Sequence, residues 1–187
     1  MTEGFEFTSD WFTHRIKEWR KLLSHLIDKP IRALEVGCHE GHSFTWTLTN
    51  LCTHEDSRAV AIDVWEWPRV EKLFDKNIVA TGVSNKVKKI RGNSRVAINW
   101  LSDNSYDFIY IDGNHEGANT LLDGLLAYHK LKVGGIIIFD DCEGWANTVD
   151  GKKHHRCPID AANVFNDMLP NMKLIQKDYQ YAFRKES

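Results

Sequence analysis

Short apolar runs alternate with helix-like stretches along most of this 187-residue chain, and this alternation constrains the fold more than any other feature. Strands separated by helices form parallel sheets, because each helix carries the chain back to the starting edge of the sheet. The run at 136–139 is continuously apolar, which is typical of a strand covered on both faces. We therefore predict an α/β fold with a doubly wound, mostly parallel sheet and an antiparallel terminal strand. The predicted strands are 31–36, 59–62, 87–90, 107–111, 136–139, 172–178 and 180–184.

The length fits one domain, since single cores stop growing only above about 250 residues. We expect a single domain over 1–187, with an N-terminal helix within 1–30 and the sheet core at 31–184. Apolar residues at helical spacing predict that first helix from Trp11 to Leu26. Three N-cap candidates precede it, namely Thr8, Ser9 and Asp10. The other predicted helices are 42–51, 69–80, 95–101, 116–131 and 159–169.

Charge and cysteine content exclude several classes of protein. The net charge is −2 with both signs interleaved, so we expect neither nucleic acid nor a membrane as partner. Apolar runs such as 134–139 are far shorter than the roughly 20 residues that span a bilayer, and the N-terminus is not signal-like. We therefore expect a cytoplasmic protein. The four cysteines form no C-x-x-C pair, which favours reduced thiols over a zinc ribbon.

Carboxylates stand at the ends of several predicted strands. In open α/β sheets, ligands bind at the carboxyl ends of the strands, so these side chains are expected along one functional edge. Acids at strand ends can instead cap helices or solvate turns, although the repetition on strand after strand favours function. The carboxylates are Glu35, Asp63, Asp112, Asp140 and Asp141.

The loop after the first strand indicates which ligand this edge binds. A dinucleotide site needs G-x-G-x-x-G, and His39 stands where its middle glycine should be, so NAD and FAD are disfavoured. The chain contains no P-loop sequence. Asp63 ends the second strand, where a carboxylate can accept from both hydroxyls of a ribose. Trp65 and Trp67 follow, and an indole there either stacks on adenine or packs in the core.

These motifs, in this order, resemble the class I S-adenosylmethionine-dependent methyltransferases, a Rossmann-like family, and especially the small metal-dependent O-methyltransferases of the catechol, caffeoyl-CoA and macrolide-sugar types. The resemblance covers about 31–184. It implies that an E-x-G-x-x-x-G-x-S loop holds the methionine part of the cofactor, that Asp63 holds ribose, and that a G-x-S segment borders adenine. The loop residues are Glu35, Gly37, Gly41 and Ser43, and the adenine segment is Gly92, Asn93 and Ser94.

The same resemblance places a metal site at Asp112, Asp140 and Asp141. Mg²⁺ prefers a few carboxylates together with water and substrate oxygens, and as a Lewis acid it makes a hydroxyl nucleophilic. In the catechol enzymes a lysine stands three residues after the first ligand, and here that position is His115. We predict that His115 is the general base and that Asp112 serves catalysis, metal and cofactor, while His115 as a metal ligand or a plain loop residue stays open.

The predicted function is methyl transfer from S-adenosylmethionine to a hydroxyl of a small-molecule acceptor such as a sugar, a phenol or a natural-product intermediate, assisted by Mg²⁺. A metal-independent methyltransferase and a non-catalytic cofactor-binding domain are the alternatives. The run Gly113-Asn114-His115-Glu116 also occurs in metallophosphatases, but their D-x-H and G-D-x-x-D motifs are missing from the sequence. His154, His155 and Cys157 form either a metal clip or, more simply, part of a lid. The aromatic residues Trp11, Phe12 and Trp19 are candidates for a homodimer interface, one of the arrangements that the sequence leaves open.

Overall fold

The structure of the chain is a computed structural model, which describes residues 4–143, 148–149, 152–153 and 157–187. Among these, nine strands are present: β1 (Arg32–Val36), β2 (Arg58–Asp63), β3 (Val87–Arg91), β4 (Tyr106–Ile111), β5 (Leu131–Phe139), β6 (Thr148–Val149), β7 (Lys152–Lys153), β8 (Met172–Lys177) and β9 (Tyr181–Lys185). The predictions at His154 and His155 lie outside the described residues.

Seven strands form one sheet in the order β3-β2-β1-β4-β5-β9-β8. The pairs from β3 to β5 are parallel, and β9 pairs antiparallel with both β5 and β8. The short β6 and β7 pair only with each other. The predicted mostly parallel sheet with an antiparallel terminal strand is confirmed.

Helices cover both faces of this sheet, as expected for a doubly wound fold. They are α1 (Ile16–Leu22), α2 (His42–Asn50), α3 (Pro68–Ala80), α4 (Ser94–Ala97), α5 (Gly117–Lys130) and α6 (Pro158–Met168). Two apolar clusters fill the layers between helices and sheet. One is built around Trp19, Phe44 and Phe108, and the other around Ile109, Phe139 and Phe165. Alternate residues of β4 thus face opposite layers, which is why its sequence is apolar throughout.

The N-terminal region differs from the single long helix predicted. The helix α1 is only seven residues long and is flanked by 3₁₀ turns at Thr13–Arg15 and Ser24–Leu26. None of the three N-cap candidates is an N-cap residue, because Phe12 holds that position in the first turn and Arg15 in α1. Asp10 still contacts the first turn, since its Oδ1 accepts from the backbone N–H of Thr13 at 2.9 Å. Residues 5–14, which we call the N-terminal strap, run across α2 and α3. The strap is fastened where the backbone N–H and the hydroxyl of Thr8 donate to Glu40, both at 2.7 Å.

Burial corrects the proposed use of the N-terminal aromatic residues in a homodimer. Phe12 and Trp19 are 4% and 0% exposed within a single chain, so neither side chain is available to a second copy. Trp11 is 67% exposed. All four cysteines lie among the described residues, are buried and form no disulfide. Within the described part of the chain, no helix is long and apolar enough to cross a membrane.

Candidate active site at the carboxyl edge of the sheet

A cavity of about 980 Å³ opens at the carboxyl ends of the parallel strands. It lies where the strand order reverses between β1 and β4, the point at which doubly wound sheets leave a crevice for ligands. Segments that follow β1, β2, β3, β4 and β5 form its walls, and the N-terminal strap forms another. Nine predicted site residues line it directly: Gly37, Ser43, Asp63, Asn93, Ser94, Asp112, His115, Asp140 and Asp141.

Gly37 lets two loops meet at the base of the cavity. Its φ is +88°, and a Cβ there would lie 2.0 Å from the backbone oxygen of Asp112. Gly41 also has a positive φ, of +83°, and a Cβ there would lie 2.9 Å from the ring of Phe74. Both glycines are therefore required by the close approach of neighbouring parts of the protein, whatever binds above them.

Glu35 lies beneath this loop and is 2% exposed. Its Oε1 accepts a hydrogen bond of 2.6 Å from the hydroxyl of Ser43 at the start of α2. Its Oε2 has no hydrogen-bond partner among the described residues. Burial raises the pKa of Glu35 well above its ordinary value, and the carboxylate of Asp112 adds to the effect. The predicted loop is thus built around a buried carboxyl group with one oxygen left without a partner among the described residues.

Asp63 is held in place by two backbone N–H groups at the end of β2. Its Oδ2 accepts from the backbone N–H of His39 at 2.8 Å, and its Oδ1 accepts from that of Trp65 at 2.7 Å. A carboxylate has about four lone-pair positions, so both oxygens keep acceptor capacity towards the cavity. This fixed acceptor at the end of the second strand is the geometry expected of a ribose-binding acid.

The segment after β3 closes the same side of the cavity. The side chain of Asn93 caps α4 by accepting from the backbone N–H of Arg95 at 3.0 Å. The hydroxyl of Ser94 donates to Asp123 at 2.7 Å, which ties this segment to α5. Asn93 and Ser94 therefore form a wall of the cavity that is tied to α4 and α5 by hydrogen bonds.

Of the two roles open to Trp65, stacking on adenine and packing in the core, the structure shows core packing, so its predicted contact with the cofactor is corrected. Its indole is 1% exposed, donates to the backbone oxygen of His39 at 2.9 Å, and packs on Phe74 with ring centroids 4.7 Å apart. Trp65 has a φ of +41°, which turns its side chain away from the cavity and into the core. Trp67, which is 65% exposed, lines the cavity instead.

Three potential metal ligands converge at the other end of the cavity, and they differ from the predicted set. Ligand atoms of Asp112, His115 and Asp141 all lie within 4.8 Å of one another. The Nε2 atom of His115 is 2.7 Å from Asp141 Oδ2 and 3.8 Å from Asp112 Oδ1. His115 joins two of the three predicted ligands in this cluster, and Asp140 lies outside it.

Asp140 is engaged elsewhere. Its Oδ1 accepts from the backbone N–H of Asp141 at 2.8 Å, and its Oδ2 accepts from the hydroxyl of Tyr110. Gln180 donates to that same Tyr110 oxygen at 3.3 Å and accepts from the indole of Trp19 at 2.7 Å. Sequence reasoning missed this buried chain of side chains, because its members come from β4, the turn before β9 and α1.

Asp141 has a further partner in Tyr179, whose hydroxyl donates to Asp141 Oδ1. The guanidinium of Arg15 lies 4.2 Å from the centre of the Tyr179 ring. Asp141 itself has a φ of +53°, and this left-handed turn directs successive carboxylates to different partners. Tyr179 also lines the cavity, so it is a site residue that the sequence did not reveal.

Charge at this end of the cavity bears on the predicted base. Burial, and then the carboxylate of Asp140, raises the pKa of Asp112 to about 8. Hydrogen bonding to Asp112 and Asp141 raises the pKa of His115 to about 10. An imidazole with such a pKa is protonated at neutral pH and cannot accept a proton. In this arrangement His115 is a cation hydrogen-bonded to Asp112 and Asp141, and a base role requires the loss of that charge.

The fold and this cavity define a Rossmann-like domain with a ligand site at the carboxyl edge of its sheet. Residues 34–142, more than half of the chain, match the sequence model of a family described as a methyltransferase domain. The chain belongs to this methyltransferase domain family. This membership sets aside the metallophosphatase alternative raised by Gly113-Asn114-His115-Glu116.

Known relatives agree with this membership. A protein of Mycobacterium sp. (strain JLS), named provisionally as an O-methyltransferase, is 28% identical over 112 residues, which are 54% of this chain and 49% of the relative. The match thus spans about half the length of that protein.

Solved structures share the fold at low sequence identity. The O-methyltransferase from Bacillus cereus in complex with S-adenosylhomocysteine superimposes with a TM-score of 0.72 at 18% identity, over 96% of this chain and 84% of that one. The mycinamycin-pathway methyltransferase MycE was solved in complex with Mg, S-adenosylhomocysteine and mycinamycin VI. It superimposes with a TM-score of 0.70 at 11% identity, over 99% of this chain and 52% of that one.

Proposed function

We propose that this chain transfers a methyl group from S-adenosylmethionine to a hydroxyl oxygen of a small molecule, assisted by a divalent cation. The observation that carries the proposal is the single cavity that joins Asp63, Asn93 and Ser94 at one end to Asp112, His115 and Asp141 at the other. Its volume of about 980 Å³ is at the upper end of small-molecule sites, which leaves room for a cofactor and an acceptor together.

The residues at the first end fit the cofactor. Asp63 offers fixed acceptors for ribose hydroxyls, and Trp67 offers an exposed indole next to it. The unpartnered Oε2 of Glu35 is a buried acceptor, which is costly unless a donor reaches it. The ammonium group of the methionine part, placed beside this oxygen, would supply the missing donor and favour the carboxylate form of Glu35. These features support S-adenosylmethionine as the bound donor of the methyl group.

The residues at the second end fit a divalent cation. Asp112 and Asp141 supply two carboxylates, and His115 supplies a nitrogen donor once it is neutral. A cation bound there stabilises the oxyanion form of the acceptor as a Lewis acid. Asp140, Tyr110 and Tyr179 keep the carboxylates oriented through the hydrogen bonds described above. The sequence predicts Mg²⁺, and the nitrogen donor also suits first-row transition ions.

Transfer itself depends on alignment, because displacement at a sulfonium methyl requires donor and acceptor in line. The N-terminal strap places Trp11, Phe12 and His14 against the cavity and shields the path between donor and acceptor from water.

Titrating the protein with radiolabelled S-adenosylmethionine and a panel of catechol, phenol and sugar acceptors tests the proposal. We expect labelled product, its loss with EDTA, and its return with Mg²⁺ or Mn²⁺.

A metal-independent methyltransferase is the second candidate, and the ion pair of 2.7 Å between His115 and Asp141 favours it, since a protonated His115 offsets one carboxylate charge of the site without a cation. Full turnover in EDTA would establish this candidate. Cofactor binding without any labelled product from the panel would instead favour a non-catalytic binding domain.

The role of His115 is tested by metal binding alone. If the imidazole is a ligand, His115→Ala should weaken Co²⁺ binding by at least about tenfold and Mg²⁺ binding much less, because nitrogen donors favour transition ions. The exposed His129→Ala is the matched control, and calorimetry on cofactor-free protein gives both dissociation constants. An unchanged ratio of the two constants in His115→Ala would exclude the imidazole as a ligand.

A further inference from the structure

A second cavity, of about 370 Å³, lies at the opposite edge of the sheet, where β1, β2 and β3 begin. We call it the basic cavity. Its lining shares no residue with the candidate active site. The side chains that characterise it are Arg32, Arg58, Lys86, Lys88, Trp100 and Tyr106.

Strand register places three of its cations on one face of the sheet. Arg32 and Arg58 are direct partners across β1 and β2. Lys88 on β3 is the partner of Val60, which stands two residues after Arg58. Since residues two apart on a strand share a face, all three side chains project to the same side. The 3₁₀ turn Ile98–Trp100, which covers this face, ends there with an exposed Trp100.

The basic cavity is unbalanced in charge. Among the residues that the structure describes, its lining contains no aspartate or glutamate. Nor do Arg32, Arg58 or Lys88 form an ion pair with any described residue. The chain as a whole carries a net charge of −2, so this concentration of positive charge is local. Adjacent like charges repel one another, and an anion bound between them would remove that cost.

Two of the cations are held in position by backbone carbonyls. Arg58 Nη1 donates to the backbone oxygens of Glu55 and Ser57, both at 2.8 Å, which orients the guanidinium and leaves its other N–H groups for a ligand. Lys86 Nζ donates to the backbone oxygens of Cys52 and His54, both at 2.8 Å, so its charge is fixed at the cavity wall. A planar, oriented guanidinium is well suited to a phosphate group.

An aromatic surface completes the basic cavity. The Trp100 indole is 71% exposed at its rim, while Tyr106 is 5% exposed at its wall. An exposed indole next to a group of cations offers a stacking face for a flat ring whose phosphate lies among the cations.

We propose that the basic cavity is a binding site for a small organic anion in which a phosphate is attached to a flat ring. It is separate from methyl transfer, because it lies at the amino edge of the sheet while the candidate active site lies at the carboxyl edge.

Phenyl phosphate and inorganic phosphate are suitable probes, because neither contains an adenosine that would compete for the cofactor site. Both would be titrated into the full chain, with and without saturating S-adenosylhomocysteine, and followed by NMR of the backbone and indole N–H groups. We expect saturable shifts at Trp100 and at the start of β2, tighter binding of phenyl phosphate than of phosphate, and no effect of S-adenosylhomocysteine. Loss of S-adenosylhomocysteine binding would count against the proposed function and leave this test intact.

Variants separate the contribution of the cations from that of the Trp100 indole. Arg58→Ala should weaken both probes about tenfold, the value of one charge-assisted contact to phosphate. Trp100→Ala should weaken phenyl phosphate and leave inorganic phosphate unchanged. Lys173→Ala removes an exposed cation on β8 and should change neither. Equal effects of Arg58→Ala and Lys173→Ala, or competition by S-adenosylhomocysteine, would overturn the proposal.

Discussion

Gly37 shows how one missing Cβ shapes the candidate active site. Gly37→Ala would bring a methyl group within 2.0 Å of the Asp112 backbone oxygen, and Gly134→Ala has a similar positive φ of +83° but meets nothing within 4 Å. Both substitutions incur strain of about 1–2 kcal/mol from the left-handed backbone. The overlap should cost Gly37→Ala about 1–3 kcal/mol more. Urea denaturation of the two variants measures their free energies of unfolding. Equal losses of stability would contradict the close approach of Gly37 to the Asp112 backbone.

Glu35 makes stability depend on pH in a predictable direction. Its pKa is raised in the folded chain, so the folded state binds the proton more tightly than the unfolded state does. Stability from this group is therefore complete below the unfolded pKa of about 4.3 and is lost as pH rises towards the folded pKa. Glu35→Gln, which can still accept from Ser43, should lose less stability than the wild type between about pH 4.5 and 7.

Chemical denaturation across this pH range, on cofactor-free protein, checks the prediction for Glu35. The exposed Glu55→Gln serves as the control and should run parallel to the wild type. Parallel curves for Glu35→Gln as well would show that the Glu35 carboxyl is not protonated in the folded chain.

Residues at strand ends were predictable, but the direction of neighbouring side chains was not. Asp63 and Asp112 were identified because a parallel sheet brings the carboxyl ends of its strands to one edge. The burial of Trp65 and the position of Asp140 outside the ligand cluster were not predictable, because they accompany the positive φ of Trp65 and of Asp141. A left-handed residue reverses the expected alternation, and neither tryptophan nor aspartate signals it in the way glycine does.

At the level of elements, strands were predicted better than the N-terminal region. Strand positions follow from apolar runs bounded by turns, and these runs appear in the structure with boundaries shifted by a few residues. The strap resembled part of a helix because Trp11 matches the helical period of α1. Trp11 nevertheless lies 67% exposed against the cavity, since the contact of Thr8 with Glu40 holds residues 5–14 across α2 and α3.

The strap should contribute to ligand affinity. Thr8→Val removes the 2.7 Å hydrogen bond from its hydroxyl to Glu40 with little change in shape. We expect S-adenosylhomocysteine to bind about threefold to tenfold more weakly, because the strap then covers the cavity less firmly. Thr53→Val, whose hydroxyl contacts Asp28 far from the cavity, is the matched control. Calorimetry gives the dissociation constants. Equal affinities of the two variants would show that the strap does not contribute to ligand affinity.

At the scale of the whole molecule, the two cavities lie at opposite edges of one sheet. The alternation of strands and helices predicts a mostly parallel sheet, and the crevice between β1 and β4 follows from the reversal in the observed strand order β3-β2-β1-β4-β5-β9-β8. The sequence therefore located the larger cavity. It did not reveal the basic cavity, because Arg32, Arg58 and Lys88 are far apart in the chain and meet only through strand register.

Thermal unfolding with S-adenosylhomocysteine tests the central claim most directly, because the claim requires this ligand to fill the carboxyl-edge cavity. At a hundredfold excess over its dissociation constant it should stabilise the fold by about 2.7 kcal/mol, which raises the melting temperature measurably, whereas NAD should have no effect. Asp63→Asn should lose most of this gain, and the exposed Asp167→Asn should keep it. An unchanged melting temperature with S-adenosylhomocysteine, or an equal rise with NAD, would contradict the account.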